Sequence, residues 1–183
     1  MSLISLKSLM SNSAPTYSPE VAQPFREELT VVGFKELLTA ADVDAALNSQ
    51  NDKTILVVLN SVCGCAAGRA RPGVILSMVN EVIPDEYVTL FAGMEKEAVT
   101  YFREKYLPGL TATSPNIAVF KNGQLLYILH RYMIEGKSAV EIAHELAAVY
   151  NKVCSKRNLP EEMDKLKNYI AAKLRINIES LNT

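Results

Sequence analysis

Residues 54–65 read TILVVLNSVCGC, and this stretch decides the fold class of the 183-residue chain. Its first part, Thr54 to Asn60, is rich in Ile and Val and carries apolar side chains at consecutive positions. A strand that is apolar on both faces is typical of the centre of a parallel sheet that is covered on both sides. Cys63 and Cys65 follow directly, at the point where such a strand ends.

Helical and strand patterns alternate outward from this strand. Apolar residues recur at helical spacing on both sides of it, and a second short apolar run has the character of another buried strand. Ser138 and Glu141 have the spacing of a capping box, and Pro72 predicts a kink in the helix after the cysteines. The predicted helices are 34–48, 66–81, 95–106, 138–153 and 160–176, and the predicted strands are 54–60 and 87–92, with a short first strand near 30–32.

A hairpin is predicted near the end of this alternation. Asn122-Gly123 separates the apolar runs 117–121 and 124–130, and this dipeptide favours a tight turn because both positions need positive φ. An α/β chain that ends in an antiparallel hairpin and a helix implies a mixed central sheet with helices on both faces. This is the order of a thioredoxin-like fold, in which a cis-proline precedes the hairpin beside the active cysteines. Pro115, after Ser114, takes that place here.

The chain is predicted to have three parts. Turn-forming Ser, Asn and Pro residues indicate a flexible N-terminal segment over 1–20. A thioredoxin-like domain follows over 21–154, and a C-terminal helical extension over 155–183. The apolar stripe of 160–176 predicts a packing face. That face lies on the domain or on a second copy of the chain, as in a homodimer.

Composition excludes several classes of partner. The formal net charge is −1 with both signs spread along the chain, which gives no electrostatic reason to expect nucleic acid or an anionic membrane as a partner. No apolar run approaches the roughly 20 residues that span a bilayer. The first ten residues lack the basic and then apolar order of a signal peptide. We therefore expect a cytoplasmic protein. The chain has three cysteines, an odd and small number that makes a poor disulfide framework for a secreted domain.

The Cys63-Gly64-Cys65 pair has the pattern of a redox-active dithiol. A cysteine at the start of a helix faces free N–H groups and the positive end of the helix dipole, and both favour the thiolate. We therefore predict that the pKa of Cys63 lies below the ordinary value of about 8.5. Cys65 can then attack a mixed disulfide on Cys63, and Gly64 permits the tight ring that such a pair closes.

Two other readings of the pair stay open. Free cysteines are often simply buried and unreactive. A zinc or iron–sulfur site is the second alternative, but such sites generally take four ligands. Only Cys154, His130 and His144 are available to join the pair, so we expect no bound metal.

Three further residues are candidates for a supporting role. Arg69 and Arg71 come one turn after the pair, where they either hold a thiolate or a substrate carboxylate or lie on a solvated helix face. Cys154 is either a third redox thiol or, as is more usual for a lone cysteine at the end of a helix, structural.

The string NSVCGCAAG at 60–68, followed by Ala70-Arg71-Pro72, resembles the bacilliredoxin family. Members are thioredoxin-like proteins of bacteria that use the thiol bacillithiol. Cys154 resembles a terminal cysteine of these proteins, and the resemblance covers roughly residues 20–154. The other matching stretches are Phe91-Ala92-Gly93, Lys96-Glu97-Ala98, Ser114-Pro115, and Arg131 with Ile134-Glu135-Gly136.

The resemblance implies a thiol–disulfide oxidoreductase that removes bacillithiol from protein mixed disulfides. It implies that Cys63 attacks and accepts the bacillithiol and that Cys65 resolves. Bacillithiol is then a cosubstrate, with no bound metal or prosthetic group, and the partners are S-bacillithiolated or disulfide-containing proteins. The alternatives are a general protein disulfide isomerase or reductase and a non-enzymatic iron–sulfur or zinc-binding protein.

The chain departs from the family pattern at three places. The tail 155–183 continues beyond the usual end of family members. Tyr132 stands where the family often has a His, and Met133 is also unusual. Strand 54–60 carries no acid, unlike the buried Asp of thioredoxin. The resemblance therefore implies neither a general base at Tyr132 nor proton transfer through that strand.

Overall fold

The structure is a computed structural model that describes residues 14–176 and residue 179. In this part of the chain the strands form one mixed sheet of five and one antiparallel pair. The strands are β1 (Lys35–Glu36), β2 (Thr54–Asn60), β3 (Val82–Ile83), β4 (Glu86–Phe91), β5 (Asn116–Lys121), β6 (Gln124–Leu129) and β7 (Lys156–Arg157).

The five-stranded sheet has the order β1-β4-β2-β5-β6. The strands β1 and β2 both run parallel to β4, whereas β5 is antiparallel to β2 and β6 is antiparallel to β5. The central strand β2 is buried at every position, as its continuous apolar sequence predicts. This order and these directions are those of the thioredoxin fold, so the predicted fold class is confirmed.

Helices cover both faces of the sheet. Two π-helical turns extend them: Ala66–Ala70 leads directly into the helix Arg71–Ser77, and Ile170–Leu174 continues the helix Pro160–Tyr169. The helices are α1 (Pro19–Thr30), α2 (Ala40–Leu47), α3 (Arg71–Ser77), α4 (Lys96–Tyr106), α5 (Arg131–Glu135), α6 (Ala139–Val153) and α7 (Pro160–Tyr169).

The two faces of β2 belong to separate cores, because side chains alternate along a strand. Leu56 and Val58 pack with residues of α3 and α6. Ile55, Val57 and Leu59 pack on the opposite face with residues of α2 and α4. Strand β2 is therefore packed on both faces, so the end of the strand from which the loop 61–63 begins is held in place by both cores.

Several predicted boundaries are wrong in part. The predicted helix 34–48 begins only at Ala40, because Thr39 forms a capping box with Asp42. Lys35–Glu36 is the first strand instead, and residues 30–32 belong to the end of α1 and the turn after it. The predicted helix 66–81 ends at Ser77, and its irregularity is the π-helical turn before Pro72 rather than a kink at it.

Helix α1 lies where no regular element was predicted. The Ser18 side chain caps it, and only Ala22 and Leu29 are buried, so the apolar stripe is too sparse to be seen in the sequence. The backbone N–H of Thr16 donates to the Gly93 carbonyl over 2.6 Å. Residues 1–13 of the segment that was predicted to be flexible lie outside the described residues.

The C-terminal extension packs on the domain. Strand β7 pairs with β3, and Ile170 is fully buried in the same core as Val74 and Ile142. The predicted packing face of 160–176 therefore lies against the chain's own core, where Ile170 is fully buried and Leu166, Tyr169 and Leu174 are partly buried. Residues 177, 178 and 180–183 of the predicted extension lie outside the described part.

Among the described residues, no helix has the length and apolar character needed to span a bilayer.

Candidate active site

Cys63 lies at the start of the helical segment that follows β2. Its carbonyl accepts hydrogen bonds from the N–H groups of Ala66 and Ala67, each over 3.1 Å. The thiol is half-buried, and it faces the end of a helix where backbone N–H groups point outward. The local sequence produces this because the buried strand ends at Asn60 and the chain turns into a helix within four residues.

The two thiols of the pair are in contact. The sulfurs of Cys63 and Cys65 are 3.3 Å apart, and both cysteines are in the free thiol form. Gly64 between them does not adopt positive φ, and a Cβ at that position would meet open space. The reduced loop therefore does not itself require glycine.

The surroundings move the pKa values of the two thiols in opposite directions. Burial raises the pKa of Cys63, but hydrogen bonds from Ser61, the Ala66 N–H and Cys65, together with the Arg131 charge, outweigh it. The pKa of Cys63 is therefore lowered. Burial, the hydrogen bond to the Cys63 sulfur and the charge on that sulfur raise the pKa of Cys65. Of the two thiols, Cys63 is therefore the one whose surroundings favour the thiolate form.

Helix α5 brings an ion pair to the cysteines. Arg131 Nε and Glu135 Oε1 are 2.7 Å apart, and the Cys65 thiol donates to the same carboxylate oxygen over 3.7 Å. Arg131 Nη1 also donates to the Ser114 carbonyl over 3.2 Å. Arg131 thus contacts the proline loop and lies within electrostatic range of both thiols. The peptide bond between Ser114 and Pro115 is cis.

In the sequence, Arg131 and Glu135 stand out only as residues that match the family pattern, and the pattern alone gives them no role. The signal available was their i, i+4 spacing, which places both on one face of a helix. That spacing alone does not show that the face meets the cysteines. Tyr132, between them, is exposed and stacks its ring on His130 with a centroid distance of 5.3 Å.

The two arginines after the pair have different surroundings. Arg71 is fully buried and pairs with Glu28, with Nε 2.7 Å from a carboxylate oxygen. Because Arg71 is buried and bonded within the protein, the interpretation as a solvated helix face and the prediction that it holds a thiolate or a substrate carboxylate are both wrong for it. Arg69 is half-exposed, and its charge is among the causes that lower the pKa of Glu135, after the hydrogen bond from Arg131 and others.

Cys154 is not brought to the pair. Its side chain interacts with Thr54, the first residue of β2, whereas Cys63 follows the last residue of that strand. A seven-residue strand spans about 23 Å. Burial raises the pKa of the Cys154 thiol. Within residues 14–176 and 179, no cluster of three or more His, Cys, Asp or Glu side chains is arranged to hold a metal ion.

The fold and the site define a class: a thioredoxin-fold protein with a Cys-Gly-Cys dithiol at the start of a helix. The model of the disulphide isomerase family matches residues 17–154. A bacilliredoxin of Salinibacter ruber is 40% identical over 146 residues, which are 80% of this chain and 85% of the relative. A bacilliredoxin of Halalkalibacterium halodurans is 45% identical over 145 residues, covering 79% of this chain and 99% of the relative.

A bacilliredoxin of Staphylococcus aureus is 40% identical over 141 residues, covering 77% of this chain and 95% of the relative. The chain belongs to this family, the bacilliredoxins. A solved oxidoreductase structure described as having a thioredoxin fold shares 16% identity and a TM-score of 0.39, over 54% of this chain and 83% of that one. The strand order β1-β4-β2-β5-β6 of this chain defines its thioredoxin fold.

Proposed function

We propose that this chain removes bacillithiol from protein mixed disulfides, with Cys63 as the nucleophile and Cys65 as the resolving thiol. One observation carries the proposal: the two sulfurs lie 3.3 Å apart, while the pKa of Cys63 is lowered and that of Cys65 is raised. A thiolate beside a protonated thiol has the two components that sequential thiol–disulfide exchange needs.

The first step is an attack by the Cys63 thiolate on the bacillithiol sulfur of the mixed disulfide. The bond between that sulfur and the client protein breaks, and the client cysteine leaves as a thiolate. A disulfide between Cys63 and bacillithiol replaces it, so no net oxidation has occurred. The half-buried thiol and the exposed Gly64 beside it suit access by a protein-bound disulfide.

The second step uses Cys65. Its thiol loses its proton to solvent or to the adjoining Glu135 carboxylate, and the thiolate attacks the Cys63 sulfur. The bond to bacillithiol breaks, bacillithiol leaves as a thiolate, and Cys63 and Cys65 are oxidised together to a disulfide. A reduced low-molecular-weight thiol then returns the pair to the dithiol form by two further exchanges.

We assign recognition of bacillithiol to two arginines near the cysteine pair, Arg131 and Arg69. Bacillithiol carries carboxylates, and guanidinium groups bind carboxylates through charge-assisted hydrogen bonds. Arg131 lies beside both thiols, and Arg69 lies within electrostatic range of Glu135. Exchange chemistry of this kind requires no bound metal or prosthetic group, because the two sulfurs carry the electrons.

The test is intact-mass analysis of the protein after mixing with a bacillithiolated client. Cys65→Ala should take up one bacillithiol and keep it, because nothing resolves the mixed disulfide. Cys63→Ala should take up none, and Cys154→Ala should behave like the wild type. If none of the cysteine variants that keep Cys63 removes bacillithiol from the client, the proposal is wrong.

A general disulfide isomerase is the second candidate, and the description of the matching family favours it. An isomerase holds a mixed disulfide with its client until another client thiol displaces it. The raised pKa of Cys65 suits such a delay. Refolding of a scrambled disulfide protein measures this activity, and the isomerase reading predicts that Cys65→Ala retains most of it.

A further inference from the structure

We infer that Arg71, held by Glu28, is a positioning residue that fixes the Ser61 hydroxyl against the Cys63 sulfur. The inference rests on the proposed role of Cys63 as the nucleophile. It gives a function to a buried charge that lies outside the reacting atoms, and it links helix α1 to the reactivity of the thiol.

The Arg71 side chain is fully buried, at 0% exposure. A buried guanidinium is costly unless it is paired and its hydrogen bonds are satisfied. Glu28 of α1 meets this need with two contacts, from Nε over 2.7 Å and from Nη2 over 3.3 Å. The Phe25 ring, one turn earlier in α1, lies 5.0 Å from the guanidinium carbon. The Nε and Nη2 atoms, on one edge of the guanidinium, thus bind Glu28 and fix the Arg71 side chain.

The remaining nitrogen holds the loop that leads to the nucleophile. Arg71 Nη1 donates to the Ser61 carbonyl over 2.9 Å and to Asn60 Oδ1 over 3.0 Å. The same Asn60 oxygen accepts the Ser61 N–H over 2.8 Å, and Asn60 Nδ2 donates to the Phe25 carbonyl over 2.9 Å. Both polar groups of the Ser61 backbone are therefore fixed by buried partners.

Fixing this backbone decides where the Ser61 hydroxyl lies. Ser61 is 7% exposed, and its Oγ donates to the Cys63 sulfur over 3.1 Å. A hydrogen bond to a thiolate favours the charged form, but only while donor and acceptor stay in line. A small displacement of this loop would therefore weaken the bond while Cys63 stays in the site.

These contacts depend on the forked, planar shape of the Arg71 guanidinium group, which presents several nitrogens at once. A lysine at position 71 keeps the positive charge, yet its single nitrogen cannot contact Glu28 and the Ser61 carbonyl with the same planar geometry. The substitution Arg71→Lys therefore separates position from charge. An effect of Arg71→Lys on the thiol is an effect of loop position.

The experiment follows alkylation of Cys63 by iodoacetamide across pH, in a Cys65→Ala, Cys154→Ala background in which Cys63 is the one cysteine left. Arg71→Lys should move the midpoint of the pH profile upward and lower the rate at neutral pH by about three- to tenfold, the worth of one hydrogen bond. Ser61→Ala should do the same. The double variant should be no slower than either single variant, because both remove one interaction.

Arg26→Lys is the matched control. Arg26 also ties α1 to the rest of the domain, through ion pairs with Glu36 and Glu95, and its guanidinium lies over the Phe91 ring. None of these contacts involves the loop of Ser61 and Cys63. This variant should lower the melting temperature but leave the alkylation profile in place.

Two results overturn the inference. One is an Arg71→Lys protein that melts earlier yet has an unchanged alkylation midpoint, which reduces Arg71 to a structural role. The other is additive slowing in the double variant with Ser61→Ala. If Arg71→Lys does not fold, Glu28→Gln replaces it and should shift the midpoint in the same direction. None of these measurements uses bacillithiol, so they stand even if the proposed substrate is wrong.

Discussion

The Ser61 hydroxyl donates a hydrogen bond to the Cys63 sulfur over 3.1 Å. The donor comes from the loop between strand and helix, and it adds to the N–H of Ala66 on the same sulfur. Together these donors oppose the burial that raises the pKa of the thiol. The Cys63 thiolate is therefore favoured by hydrogen-bond donors at the junction of β2 and the following helix, and not by a single charged neighbour alone.

Ser61→Ala should slow alkylation of Cys63 at neutral pH by about three- to tenfold, because one hydrogen bond to the thiolate is lost. The rates of the two proteins should converge at high pH, where both are fully ionised. Ser77→Ala is the control: its hydroxyl is also buried and bonds to Val74 and Tyr150, away from the cysteines. Equal pH profiles for Ser61→Ala and the wild type would contradict the prediction.

Arg131→Gln should raise the pKa of Cys63, because the Arg131 charge favours the thiolate. The effect should shrink with added salt, since the side chains of Arg131 and Glu135 are 43% and 48% exposed. We expect up to about a fivefold loss of alkylation rate at low salt. Arg157→Gln makes the same charge change on a distant surface pair with Glu81 and should leave the rate unchanged. A salt-independent loss in Arg131→Gln would point to a structural effect instead.

The parts of the fold that were predictable are those set by local sequence. Strand 54–60 was predicted with its observed bounds because a run of Ile, Leu and Val leaves no polar face. The Asn122-Gly123 turn lies between β5 and β6 with positive φ at both residues. Ser138 and Glu141 form the capping box that their spacing predicts. In each case the cause lies within a few residues.

What could not be predicted depends on contacts between distant parts of the chain. Glu28 and Arg71 are 43 residues apart, and nothing near Arg71 in the sequence marks it as buried. Glu135 reaches Cys65 from 70 residues away. The sequence therefore indicates the two cysteines and the arginines after them as candidates, while the partners Glu28 and Glu135 depend on the packing of α1 and α5.

Ile170→Ala should destabilise the protein by about 2–5 kcal/mol, because a fully buried isoleucine is truncated. The loss tests whether the C-terminal extension packs on the domain in solution. Denaturant unfolding measures it, with Leu159→Ala as the control, since Leu159 lies in the same extension but is 58% exposed. A change within about 0.5 kcal/mol for both variants would show that the extension does not pack there.

Asp44 joins α2 to α4 through three donors. Its carboxylate accepts hydrogen bonds from Lys105, Tyr101 and Tyr106, over 2.7, 2.6 and 2.7 Å. The bond from Lys105, followed by those from the two tyrosines, lowers the pKa of Asp44 to about 2. The folded pKa thus lies below the unfolded one, so this contribution to stability is complete above the ordinary value of about 3.9.

Asp44→Asn should therefore lower the melting temperature at neutral pH, and the difference from the wild type should shrink as the pH falls toward 2. The reason is that the wild-type carboxylate takes up a proton over that range and loses its charge-assisted bonds. Asp164→Asn removes a carboxylate that is 73% exposed and should melt like the wild type throughout. A difference between Asp44→Asn and the wild type that stayed constant down to the acid end would show that the lost stability does not come from the ionised carboxylate.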